Sequence, residues 1–142
     1  MQKNQLLFDT NAFESENLFY SSNSKIYLSS IVLMELMTYC DDRKELKNYQ
    51  KLWKQAVIDK RLIVPTEQDI FDASRIQFLL AQDRKNANNK KSPKLTSKAK
   101  QEIALDCLIA VSACREKVTV VTGDNDYSAI QVYLKSLKLR NL

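Results

Sequence analysis

Val118-Thr119-Val120-Val121-Thr122-Gly123-Asp124-Asn125-Asp126 sets a β-branched run directly against two carboxylates. The run Val118 to Val121 is typical of a buried strand, because β-branched side chains pack well on a pleated surface covered on both sides. Near the other end of the chain the pattern repeats: Gln5 to Phe8 reads as a short strand whose apolar run Leu6-Leu7-Phe8 stops at Asp9-Thr10-Asn11. In an open α/β sheet, ligand sites form at the carboxyl ends of strands, where Asp9 and the Asp124-Asp126 pair would fall.

Between these strands the chain alternates. Lys25 to Leu28 is a weaker strand, and Ser29-Ser30 can cap a helix beginning at Ile31. Asp41-Asp42 restarts a helix through about Ile58, with Leu46, Tyr49, Leu52, Trp53 and Ala56 at helical spacing. Leu62 to Val64 is a β-rich run ended by Pro65, and Thr66 with Asp69 resembles a capping box opening a helix to about Asp83. Ile103 to Ala113 is apolar nearly all round, which marks a central helix, and a last helix is expected from about Tyr127 to Leu137. The alternation predicts a three-layer α/β/α sandwich with a mostly parallel central sheet, in one domain spanning residues 1–142.

Composition removes whole classes of chemistry. The 142 residues contain no histidine and a single glycine, Gly123. That excludes Ser-His-Asp and Cys-His nucleophilic sites, His-ligated zinc, P-loops and dinucleotide fingerprints. Cys40, Cys107 and Cys114 form no CxxC pair, and the latter two lie in an apolar helical pattern, as buried small hydrophobes do. No apolar run approaches the roughly 18 residues of a membrane span, and Met1 to Phe13 lacks the apolar core of a signal peptide. A cytoplasmic protein, not membrane-bound, is expected. The net charge is +5, and Arg84 to Lys100 holds Arg84, Lys85, Lys90, Lys91, Lys94, Lys98 and Lys100 without an acidic residue. That segment reads either as a solvated surface loop or as a flexible clamp on a phosphate backbone.

Carboxylates in apolar surroundings need an explanation, since burying one unpaired costs several kcal/mol. Besides Asp9 and the 124–126 pair, Glu35 sits within Ile31 to Met37 and Asp106 within Ile103 to Ala110. Each alone could be a cap, a turn residue or half of an ion pair. Together, with few interior basic residues, they imply a bound cation. Oxygen-only ligands point to Mg2+ or Mn2+. Such an ion polarises a phosphoryl oxygen, orients a water and stabilises a leaving oxygen, so phosphodiester hydrolysis is the matching reaction.

These residues resemble the PIN-domain ribonucleases, specifically the VapC-like toxins of bacterial toxin-antitoxin pairs. Leu7-Phe8-Asp9-Thr10-Asn11 is similar to the opening DTN motif, and Ser29 to Leu36 to the second motif with its Glu. Asp106 to Ala113 and Val121 to Tyr127 are similar to the third and fourth. The departures are Tyr127 where Phe is commoner, Gly123 where a basic residue is often found, and a longer basic stretch before the third motif. The resemblance implies a PIN-like fold with Asp9, Glu35, Asp106 and Asp124 as the catalytic acids. It implies a metal held by Asp9, Asp106, Asp124 and, as a fifth acid, Asp126. Thr10, Asn11 and Thr122 would then orient these groups; by the charge of their segment, apart from the resemblance, Arg84, Lys85, Lys90, Lys91 and Lys94 are the candidates for contact with RNA. The resemblance further implies an RNA substrate, a homodimer and a cognate antitoxin protein; hydrolysis by an activated water would leave products with 5'-phosphate and 3'-hydroxyl ends.

Three rivals compete. A haloacid dehalogenase-type phosphatase needs a second Asp where Asn11 stands. A structure-specific DNA nuclease of the flap type needs more acids and a longer chain. A catalytically inactive PIN scaffold that binds RNA or protein would have lost acids that are present here. Tyr49, Trp53, Phe71 and Phe78 could stack on bases but fit packing, in the core or a dimer interface, better.

Overall fold

In the computed structural model, residues 4–14, 24–87 and 96–142 are described. Among them the chain forms strands β1 (Asn4–Phe8), β2 (Ser24–Ser29), β3 (Leu62–Ile63), β4 (Thr119–Thr122) and β5 (Lys138–Asn141). Helices α1 (Thr10–Glu14), α2 (Ser30–Thr38), α3 (Arg43–Ile58), α4 (Glu67–Ala87), α5 (Ser97–Arg115) and α6 (Asp126–Tyr133) connect them. The sheet has the order β3-β2-β1-β4-β5, and every pairing is parallel. The chain winds outward from β1 to β3, returns through α4 and α5, and continues from β4 to β5. The winding therefore reverses between β1 and β4, which opens a crevice at their carboxyl ends.

Both sheet faces are apolar, as a parallel sheet between helix layers requires. Leu7 and Val120, paired in register, join the main core with Leu33, Ile76, Ile109 and Ile130. Leu6, Phe8 and Val121, whose side chains alternate to the other face, pack with Ala12 of α1. The architecture is the three-layer sandwich expected from the alternation.

Local chemistry starts and stops these elements where the sequence suggests. Ser29 caps α2, accepting from the Ile31 and Val32 amides at 3.2 and 3.5 Å, although the helix begins at Ser30. Asp42 caps α3 by accepting from the Glu45 amide at 2.8 Å. The Thr66/Asp69 capping box is closed in both directions, at 2.9 and 3.1 Å. With one glycine in the chain, α3 and α5 end on lysines: Lys60 and Lys117 take φ of 56° and 58°. Each is followed by a backbone bond five residues back, Arg61 N to Ala56 O and Val118 N to Ala113 O, which feeds β3 and β4.

Three expectations are corrected. The last helix stops at Tyr133, not Leu137, because Gln131 Nε2 donates to the Leu137 carbonyl at 2.7 Å and holds a turn there. Lys138–Asn141 is then an edge strand beside β4. Charged residues suit such an edge, and only Leu139 packs on the core, so no periodic signal exists. The basic 84–100 segment is helical at both ends, in α4 to Ala87 and in α5 from Ser97, where Thr96 caps. Lys90, Lys91 and Lys94 lie outside the described residues. Of the aromatics, Tyr49 and Trp53 pack on the core, whereas Phe71 and Phe78 are exposed on α4.

One buried ion pair ties the start of α4 to the end of α5. Asp69, 2% exposed, accepts from the Thr66 amide and from Arg115 Nε at 2.9 Å, while Arg115 Nη2 donates to the Val64 carbonyl. Asp69→Ala is expected to cost about 2 kcal/mol, since it opens the cap and leaves Arg115 with Glu116 as its remaining ion-pair partner. A urea midpoint unchanged from wild type would contradict this. Cys107 is fully buried, with its thiol pushed up to about 12 by burial and then by Asp106 and Asp126, which suits an inert packing group. Among the described residues, no helix is long and apolar enough to cross a membrane.

Candidate functional site

The crevice between β1 and β4 is a cavity of about 510 Å³ lined by Asp9, Thr10, Asn11, Glu35, Asp106, Asp124 and Asp126. Six elements or loops deliver these groups. Asp9 follows β1 and is 4% exposed. Its Oδ1 accepts from the Ala12 amide at 2.9 Å, so it also caps α1, and its Oδ2 accepts from Thr122 Oγ1 at the end of β4. Thr122 Oγ1 in turn accepts from the Asp124 amide at 2.9 Å, and Asp124 Oδ1 from the Asp126 amide at 2.9 Å. One chain of hydrogen bonds thus fixes the acids of both strand ends relative to each other.

Glu35 comes from α2, and Thr10 Oγ1 donates to its Oε2 at 3.1 Å. Asp106 comes from α5, where Tyr127 Oη donates to its Oδ1 at 3.4 Å. Carboxylate oxygens of Asp106, Asp124 and Asp126 lie within 4.8 Å of one another, a spacing one cation can span. Asp9 and Glu35 line the same cavity beside this trio.

The electrostatics follow from the crowding. Burial, then Asp124, Asp126, Glu35 and Asp9, push the Asp106 carboxyl up to about 8. Asp9 is raised mainly by burial, against the opposing bonds from Thr122 and Ala12. Asp126 is raised by burial and Asp124 but eased by Arg84, whose Nη2 lies 3.7 Å from its Oδ1. Both partners of that pair are about half exposed, so it neutralises little. A cluster that holds protons for want of positive charge is suited to a hard divalent cation, and its all-oxygen donors match Mg2+ or Mn2+.

The structure therefore brings Asp9, Thr10, Asn11, Glu35, Asp106, Asp124 and Asp126 together, with Thr122 beneath them as a hydrogen-bond hub. Arg84 stands at the rim, and Lys85 belongs to the last turn of α4. Tyr39, Lys98, Gln101 and Glu102 also line the cavity. No motif announces Tyr39 or Gln101, but the four-residue spacing of Lys98, Glu102 and Asp106 on one helix marks Glu102 as a neighbour of the site. Gly123 needs no special backbone freedom: a Cβ there would meet Leu142 Cδ1 at an ordinary 3.5 Å.

Sheet order, layering and the acid-lined crevice define a class: the chain has a three-layer PIN-type fold. Solved structures share it. Over 97% of this chain and 98% of the other, it matches a chain of VapBC2 from Rickettsia felis bound to a DNA fragment from their promoter, at 22% identity and a TM-score of 0.51. A chain of VapBC-5 from Mycobacterium tuberculosis, a member of the VapBC family of toxin-antitoxin systems, matches over the same shares at 15% identity and a TM-score of 0.56. FitAcB from Neisseria gonorrhoeae matches over 96% of each chain at 19% identity and a TM-score of 0.52. At these identities the likeness is one of fold. No family model and no curated protein matches the chain.

Proposed function

We propose that this chain is a Mg2+- or Mn2+-dependent endoribonuclease, the toxin of a toxin-antitoxin pair, acting in the cytoplasm as a homodimer and silenced by a cognate antitoxin protein. The observation that carries this reading is the convergence of Asp9, Glu35, Asp106, Asp124 and Asp126 on one cavity at the carboxyl ends of the two central strands. The likeness to solved toxin-antitoxin proteins supports the partner.

Asp106, Asp124 and Asp126 would hold the ion, with Asp9 beside them. When bound, a hard divalent cation supplies Lewis acidity toward a phosphoryl oxygen and makes water a better nucleophile. The chain's own groups do the rest. Thr122 and the Ala12 amide keep the Asp9 carboxylate in one orientation, and Thr10 does the same for Glu35. Asn11 lines the cavity mouth as a further polar contact. Lys98 and Arg84 at the rim, continued by Lys85, Lys90, Lys91 and Lys94 in the sequence, offer positive charge to the phosphates on either side of the cut.

The test is incubation of purified, antitoxin-free protein with end-labelled total tRNA and ribosomal RNA in Mg2+ or Mn2+. Discrete cuts bearing 5'-phosphate and 3'-hydroxyl ends, abolished by EDTA and by Asp106→Asn, are expected. A 2',3'-cyclic phosphate product, or cutting that survives EDTA, would overturn the reading, because attack by the ribose hydroxyl needs no hydrolytic water.

A further inference from the structure

Tyr127 is fully buried in the first turn of α6, inside the main core. The packing there asks only for an aromatic ring. The hydroxyl adds something a Phe could not, a donor to Asp106 Oδ1. A phenol placed at zero exposure is tolerated only where its hydroxyl finds a partner, and among the described residues Asp106 is the partner recorded for it. The placement also has a mechanical consequence. Asp126 and Tyr127 are consecutive on α6, whereas Asp106 sits on α5, so this 3.4 Å contact links the helix that delivers one acid of the trio to the helix that delivers another.

We propose that Tyr127 is a positioning residue of the metal centre: its hydroxyl keeps the Asp106 carboxylate turned toward Asp124 and Asp126. This rests on the reading of the three acids as a cation site. Removing the hydroxyl leaves the ring packing intact but frees a carboxylate that repels its neighbours and turns away from them. Groups that orient metal ligands in this way typically contribute about 10- to 100-fold in metal affinity.

The experiment is a thermal-shift titration of wild type and Tyr127→Phe with Mn2+, beginning from EDTA-treated protein. The variant is expected to melt within a few degrees of wild type without metal, yet to need roughly tenfold more Mn2+ for half of the stabilisation. An equal midpoint in the two proteins would overturn the positioning role while leaving the metal centre standing. A wild type that does not respond to metal would overturn both. As a second readout, the tyrosine 13Cζ resonance that Tyr127→Phe deletes should move in wild type as Mg2+ is added, with the midpoint of the thermal response. A resonance that stays put would count against the hydroxyl's role even if the variant folds poorly.

Discussion

In EDTA at pH 8, Asp106→Asn is expected to be more stable than wild type by on the order of 3 kcal/mol, or roughly 10 °C in Tm. The sign follows from linkage. Burial and the neighbouring acids push the Asp106 carboxyl up to about 8 in the folded chain, against an ordinary value of 3.8. Between those pH values the folded state binds the extra proton, so stability falls as pH rises through that window. Asparagine carries no charge, keeps an oxygen for the Tyr127 hydroxyl and removes the loss. Saturating Mg2+ should reverse the advantage, because only wild type retains the full set of ligands: at a metal concentration about 1,000 times Kd the gain is about 4.1 kcal/mol. Melting curves at pH 5 and pH 8, with EDTA and with Mg2+, check both halves. A variant that is less stable than wild type in EDTA at pH 8 would mean that the acids do not repel one another as their placement implies.

The second large effect concerns the reaction. Asp124→Asn should lower RNA cleavage by about 10²- to 10³-fold while leaving the metal-free fold intact. The fold should survive because Thr122 holds the backbone amide of residue 124, and an asparagine oxygen can still accept from the Asp126 amide. Asp124 is also the neighbour that contributes most to raising Asp106 and Asp126 after burial itself, so its neutralisation relieves the metal-free cluster. Cleavage rates at saturating Mg2+, beside circular dichroism and the exposed control Asp59→Asn, make the measurement. Wild-type cleavage by Asp124→Asn would remove this residue from the chemistry.

A stability gain paired with an activity loss would mark a site built for a ligand. Carboxylates from four parts of the chain are held by Thr10, Thr122 and Tyr127, groups that orient them without neutralising them. A packing role would have recruited cations, as Asp69 does with Arg115.

Much of this was written in local patterns. The runs Leu6 to Phe8 and Val118 to Val121 specify buried parallel strands because their side chains are apolar on both faces, and each ends in an acid. Ser29, Asp42 and the Thr66/Asp69 pair set helix starts by hydrogen bonds that span three residues or fewer. The absence of histidine restricts the donors of the site to oxygen. What only the tertiary structure decided depends on residues far apart in the chain. The edge strand Lys138–Asn141 has no apolar face to announce it and exists because β4 offers an open edge. The bond from Thr122 to Asp9 joins positions 113 residues apart. Which acids stand within reach of one cation is set by how α5 and α6 cross the reversal point of the sheet, and side-chain periodicity carries no information about that crossing.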